Sequence, residues 1–340
     1  MNIYDLTLTE LSDVLQKKSA AETVFRALYR DRVRSAEEIP LKPALKSVFA
    51  ERFSMERLEC AAVSDGESAV KYLFRLRDGH YIESVLMRHE YGNSICVSTQ
   101  AGCNMGCAFC RSGRMKKIRN LTVGEMVGQI LAVSEQADTV LSGLAVMGIG
   151  EPFDNYENVL KLIDIALYQN GLCIGPRHIT VSTCGIVPKI EALSRTSYNV
   201  NLAVSLHAPE NELRSRLMPV NRTYPLELLI PAVKRFSEKT NRRVTLEYVM
   251  LKNVNDGTDH AQMLSELIGD SRCYVNIIRY NPSENDEFER SGEERIFRFY
   301  DVLKKNKIGV TMRREMGAGV NAACGQLRSD YDITKTDRER

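Results

Sequence analysis

The stretch TQAGCNMGCAFCRSG, residues 99 to 113, holds Cys103, Cys107 and Cys110 within eight positions, a third of the chain's nine cysteines. The spacing is CxxxCxxC, with no histidine inside it. A structural zinc site closes its shell with four Cys or His ligands. Here no second CxxC and no HxxxH follows, and His89 is the nearest histidine, on the far side of a predicted strand. Cysteines that only pack would not call for Gly102 and Gly106, which let a loop curl tightly around a ligand. An iron-sulfur cube held by three thiolates, with one iron left open, fits the count better, with zinc and packing as the competing readings.

Outward from the cysteines the chain reads as strand and helix units. ICVST (95–99) is the first strand, and LSGLAVMGI, RHITVST, YNVNLAVSLH, RRVTLEYVML, CYVNIIRY and IGVTMR follow as buried strands. Helical patterns lie between them: Val123, Val127, Ile130 and Leu131 behind a Thr122–Glu125 capping box; Val159, Ile163 and Ala166; Leu229, Val233 and Phe236; and EERIFRFYDVLKK. About six such alternations predict a parallel sheet, most simply a full or partial barrel whose ligands gather at the strand ends. Upstream, residues 58 to 99 alternate apolar and polar around Asp65-Gly66 and Asp78-Gly79, which predicts antiparallel hairpins. The first 55 or so residues predict short helices, beginning with a Thr7–Glu10 capping box.

Composition narrows the class. With 340 residues, 44% hydrophobic and 26% charged, the chain is neither disordered nor fibrous. No apolar run approaches the roughly 20 residues of a spanning helix, and MNIYDLTLTELSD lacks a basic head with an apolar stretch behind it, so a cytoplasmic location with no membrane partner is expected. A net charge of +2 makes any nucleic-acid surface local. RSGRMKKIR offers one, with Arg111, Arg114, Lys116, Lys117 and Arg119 as RNA-contact candidates; the competing reading is a solvated loop.

The strand ends carry further motifs: MGIGEP (147–152), VSTCGIVP (181–188), AVSLHAP (203–209) and RYNP (279–282). Singly these read as turn formers, caps or a satisfied core histidine. Together, at one end of successive strands, they face a single cavity.

CxxxCxxC on the loop after the first strand, with Phe109 before the last cysteine, resembles the radical S-adenosylmethionine (SAM) superfamily. AACGQL around Cys324, taken with MGIGEP, STCGIVP, SLHAP, TLEYVMLKNVNDGTDHA (245–261) and RYNP, resembles the RlmN/Cfr family of bacterial RNA adenine methyltransferases, in order from about residue 80 to 328. The resemblance implies an α/β fold: a partial (β/α)6 radical SAM barrel over 83–316, a helical accessory domain over 1–58, a β-hairpin connection over 59–82, and a C-terminal segment over 317–340. It implies one [4Fe-4S] cluster on Cys103, Cys107 and Cys110 and two SAM per turnover. Gly150, Glu151, Ser182, Ser205, Leu206, His207 and Asn281 are the implied SAM contacts. Cys324 is the implied S-methylcysteine, Cys96 the resolving thiol that forms a transient disulfide with it, and Glu83 the proton acceptor. Without the resemblance, Glu83 reads as an exposed strand residue, and Cys96 as a small hydrophobe. Cys60, Cys173, Cys184 and Cys273 match no catalytic position and read as packing residues.

The implied reaction methylates carbon 2 of an adenosine in 23S ribosomal RNA, with tRNA as a second substrate and a flavodoxin- or ferredoxin-type protein as electron donor. Alternatives are carbon 8 methylation of the Cfr type, and a noncatalytic iron-sulfur protein that binds RNA or senses redox state. The chain departs from the family pattern at Arg111, at the basic run RMKKIRNL, and in having no tryptophan.

Overall fold

In a computed structural model, residues 1–282 and 286–313 are described. Cys324 and the expected C-terminal segment lie outside them. Helices α1 (Leu8–Leu15), α2 (Lys18–Tyr29) and α3 (Pro43–Arg52) form the N-terminal module, and α1 opens on the Thr7–Glu10 capping box. This module shares its apolar core with the rest of the chain: Phe25, Leu28 and Tyr29 belong to the same buried cluster as the main sheet.

Strands β1 (Glu59–Asp65), β2 (Ala69–Arg75) and β3 (Tyr81–Met87) form an antiparallel meander that runs into β4 (Asn93–Cys96). Two-residue strands β5 (Gln100–Ala101) and β6 (Arg119–Asn120) pair at the base of the cysteine loop and close it. The chain then alternates: α4 (Val123–Gln136), β7 (Leu141–Val146), α5 (Tyr156–Leu167), β8 (Ile179–Thr183), α6 (Val187–Leu193) and β9 (Asn201–Ser205). After α7 (Asn211–Leu217) and α8 (Leu226–Thr240) come β10 (Val244–Met250), α9 (Thr258–Ile268), β11 (Cys273–Arg279), α10 (Glu293–Lys305) and β12 (Gly309–Met312).

The ten-stranded sheet has the order β1-β2-β3-β4-β7-β8-β9-β10-β11-β12, parallel from β4 onward. It stays open, with β1 and β12 at its edges among the described residues, so the barrel is partial. The antiparallel strands extend the same sheet, and residue 83 falls inside β3. No described helix is long and apolar enough to cross a membrane.

Side chains alternate across a strand, so register fixes which residues share a face. Leu73 stands opposite Glu83, Lys71 opposite Val85, Val85 opposite Cys96, and Cys96 opposite Ala145. Further along, Ala145 pairs with Thr180, Ser182 with Ala203, Ser205 with Glu247, and Glu247 with Asn276. Lys71, Glu83, Cys96, Ser182, Ser205, Glu247 and Asn276 therefore line one face. The other face carries Leu86, Ile95, Leu144, Val181, Leu202, Leu246 and Val275, buried in the main core.

Candidate active site

The cysteine loop is built by its backbone. Gly102 and Gly106 have φ of +76° and +65°, and a Cβ on Gly102 would fall on the Lys116 carbonyl, so glycine is required there. Cys103 N donates to Met115 O (3.1 Å), Cys110 N to Cys107 O (3.1 Å), and Arg114 Nη2 to Ala108 O (2.9 Å). Ala108 N donates to Leu217 O (2.9 Å), which hangs the loop on α7. All three thiols line one cavity. Burial pushes the Cys103 thiol up to about 11 and raises Cys107 as well, where neighbouring Cys110 and Cys103 add to the shift. Iron binding must therefore displace protons from both. Among the described residues no three His, Cys, Asp or Glu side chains converge as the shell of a single metal ion. A cubane needs no such convergence, because each thiolate binds a different iron.

The strand ends supply the facing wall. Gly150 lines the cavity with φ +105°, and a Cβ there would meet Gln100 Cβ at 2.6 Å, so glycine lets the β7 end pack closely on Gln100. Glu151 is buried; its Oε1 accepts from Phe153 N (3.0 Å) and its Oε2 from Cys184 N (2.8 Å), which ties the β7 end to the β8 end. Burial raises its carboxyl, and the Cys184, Thr183 and Phe153 hydrogen bonds work against that rise. Ser182 and Ser205 line the cavity from β8 and β9.

His207 packs edge-on against Phe109, ring centroids 4.6 Å apart. Its Nδ1 accepts from Val249 N (3.0 Å), so that nitrogen is bare and the proton sits on Nε2. Burial, with the Arg214 charge adding to it, lowers its pKa to about 3, so the ring is neutral at pH 7. Leu206 packs in the main core, and its backbone is engaged: its N donates to Glu247 O (3.0 Å) and its O accepts from Ala208 N (2.8 Å) and Arg214 Nε (3.2 Å). Asn281 follows β11, where Arg290 Nη1 lies 3.4 Å from its Oδ1; Tyr280 and Ile278 represent this strand in the cavity wall.

Glu83 overturns the reading of its residue type alone. It is only 2% exposed, because β3 is hydrogen-bonded on both sides and covered on both faces. Lys71 Nζ lies 3.2 Å from Glu83 Oε1. Gln129 of α4 locks β3 to the chain after β4: its Oε1 accepts from Ser84 Oγ (2.6 Å) and Ser98 N (2.8 Å), and Ser98 Oγ donates to Glu83 O (2.6 Å). Cys96 is buried with Val85 and Ile149, and Met147 packs on them while lining the thiol cavity. Glu83 and Cys96 thus stand on the cavity's own face, beyond Met147.

The basic run is mostly paired within the chain. Lys117 bonds Asp154 (2.7 Å), Arg119 bonds Glu125 (2.7 Å) and Asp78 (2.5 Å), and Arg114 bonds Asp286 (2.8 Å). These three cations brace the cysteine loop, whereas Lys116 is exposed and in no ion pair among the described residues. Arg111 sits at the loop's turn, before the buried Ser112. Two cysteines expected only to pack do not: Cys173 is exposed, at φ +54°, and Cys184 lines the cavity.

Residue type alone missed Glu247. It is buried on the inner face, where its Oε2 accepts from Asn276 Nδ2 (2.8 Å). Burial raises its carboxyl, opposed by the Arg313 charge and the Asn276 hydrogen bond. A glutamate at an inward register position of TLEYVML was the available signal.

A partial barrel with three thiols on the loop after its first parallel strand is the architecture of the radical SAM superfamily, and residues 97–264 match the family model of that description. A crystal structure of a radical SAM methyltransferase from Sphaerobacter thermophilus matches with a TM-score of 0.91 and 41% identity, covering 97% of this chain and 100% of that one. The chain is also 48% identical to the probable dual-specificity RNA methyltransferase RlmN of Enterococcus faecalis, over 96% of each chain. It is 48% identical to that of Listeria welshimeri, over 100% of this chain and 96% of that one. It belongs to the RlmN family of radical SAM RNA methyltransferases. Membership implies SAM and a [4Fe-4S] cluster, and the site fits both: three thiols on one cavity, with neutral donors on successive strand ends facing them.

Proposed function

We propose that this protein methylates carbon 2 of an adenosine in 23S ribosomal RNA, with a tRNA adenosine as second substrate. The supporting observation is the shared inner face, which carries the thiol cavity at one part and Glu83 and Cys96 at another. Cys103, Cys107 and Cys110 would hold the cluster, and two SAM molecules are used per turnover. With SAM at the open iron, the chemistry supplied is one-electron cleavage of the sulfonium to a hydrogen-abstracting radical, which an unreactive aromatic C–H carbon requires.

The chain's own groups then bind and move protons. The Nε2–H of His207 and the hydroxyls of Ser182 and Ser205 donate to SAM, and Gly150 borders it. Glu151 accepts from the amino group of SAM, and Asn281 contributes its amide. Glu83 takes the ring proton of the adenine once the base is linked through Cys324. The Cys96 thiolate attacks the Cys324 sulfur and breaks its bond to the methylene carbon, which leaves with the bonding pair and takes up a proton to become the methyl group, and a Cys96–Cys324 disulfide stays behind. Lys116 meets RNA phosphates, and a flavodoxin- or ferredoxin-type protein delivers the electron.

Anaerobic iron and sulfide analysis with nucleoside mass spectrometry tests this reading. About four irons and four sulfides per chain are expected, with 2-methyladenosine that disappears in Cys324→Ala. Finding 8-methyladenosine would move the reaction to the other ring carbon. Unchanged biological output in Cys324→Ala would favour a noncatalytic role.

A further inference from the structure

Arg214, on α7, is fully buried at 0% exposure. Each of its five N–H donors has an acceptor. Nε donates to Leu206 O (3.2 Å); Nη1 to Asn221 Oδ1 (2.8 Å) and Tyr224 O (3.5 Å); Nη2 to Cys184 O (2.8 Å) and Ser205 O (3.0 Å). All five acceptors are neutral oxygens, and among the described residues no carboxylate bridges to this guanidinium. That is unusual, because buried charges ordinarily carry a counter-charge. Two other largely buried cations have one: Lys71 has Glu83 and Arg57 has Glu135.

Its surroundings are the walls of the thiol cavity. The carbonyls it grips, Cys184 O directly after Thr183 and Ser205 O, close the ends of β8 and β9. The helix that carries it also holds the cysteine loop, through Ala108 N to Leu217 O. Burial lowers the guanidinium to about 10, still charged at pH 7, and Cys184 and Cys107 would oppose that fall once they are thiolates. A cubane on three thiolates is anionic, and more so once it has taken up an electron. A fixed cation in a water-poor wall favours the reduced form over the oxidised one.

We propose that Arg214 is a positioning residue with two separable roles: its planar fork fixes the β8 and β9 ends against the cysteine loop, and its unanswered positive charge raises the reduction potential of the cluster. This rests on the assignment of the cluster to Cys103, Cys107 and Cys110. Lysine at 214 would keep the charge but not the fork, and glutamine would keep neither.

The test is a mediated redox titration of anaerobically reconstituted full-length protein, read by electron paramagnetic resonance without RNA, alongside SAM binding. It compares wild type, Arg214→Lys, Arg214→Gln and Leu264→Ala, a core variant in α9 that controls for lost stability. In Arg214→Gln the midpoint is expected to fall by about 59 mV, a tenfold loss of reduced cluster at fixed potential. Arg214→Lys and Leu264→Ala should keep the wild-type midpoint, while both position-214 variants bind SAM about tenfold more weakly. A wild-type midpoint in Arg214→Gln would overturn the charge role. If Arg214→Gln does not fold, Arg214→Lys decides: wild-type midpoint with weakened SAM binding supports the separation, and a midpoint lowered by about 59 mV overturns it. Wild-type protein without iron and sulfide would overturn the cluster assignment instead.

Discussion

Lys71 and Arg214 are both cations of the interior, and the fold answers them differently. Lys71, 16% exposed in its side chain, has the carboxylate of Glu83 at 3.2 Å. Arg214 has only neutral oxygens. On the first side the protein has already assembled both charges, at Lys71 and Glu83. On the second it has assembled one charge, with no carboxylate beside it among the described residues. The closed pair is the proposed place of proton transfer, and the open charge the proposed neighbour of an anionic cluster.

The sharpest way to break that contrast is to remove the unanswered cation. Arg214→Gln should destabilise the protein without iron by about 3–5 kcal/mol, since it strips a fully buried fork from five acceptors. Thermal melting checks this, and a loss under ~1 kcal/mol would mean the strand ends hold themselves. On the paired side, Glu83→Gln should slow methyl transfer by about 10²–10⁴-fold, the usual span for losing a general base. Lys71→Met should cost only about tenfold in rate, since it removes the partner and leaves the carboxylate in place. Equal losses in both variants would show that the pair is structural.

His207 supplies a smaller test, on neutrality. Its folded pKa of about 3 lies below the ordinary histidine value, so the folded protein binds fewer protons than the unfolded chain as pH falls. Its contribution to stability is therefore complete above the unfolded value and drains away as pH drops toward about 3. His207→Gln should flatten this acid limb in urea melts run from pH 7 to pH 4. The smallest effect belongs to the surface. Lys116→Glu should lower the salt slope of RNA binding by about one unit. Lys117→Glu should instead loosen the cysteine loop by breaking its pair with Asp154, seen as a lower melting temperature.

Much of this was readable in the chain. The capping boxes at Thr7 and Thr122 and the Gly102 and Gly106 turns are local rules, and the structure keeps them. Alternating strands and helices gave the parallel sheet because each buried strand reads as an apolar run. Burial of Glu83 was not legible from residue type, since it depends on β2 and β4 flanking β3 and on Gln129 reaching across from α4. Likewise Arg114, Lys117 and Arg119 look like an RNA surface until Asp286, Asp154, Asp78 and Glu125 are seen beside them. Arg214 looks like one more helix charge in ELRSRLM, because nothing local says that its side of α7 is sealed. Long-range partners decide each of these cases, and a single sequence does not print them.

The central claim is that three thiols and an inner-face base serve one reaction on adenine. Nucleoside mass spectrometry of ribosomal RNA incubated with reconstituted wild-type protein, SAM and reductant tests it most directly. The expected product is 2-methyladenosine, abolished in Cys107→Ser and strongly reduced in Glu83→Gln. Undiminished methylation in Cys107→Ser, or none by a wild-type protein carrying its full iron and sulfide, would contradict it.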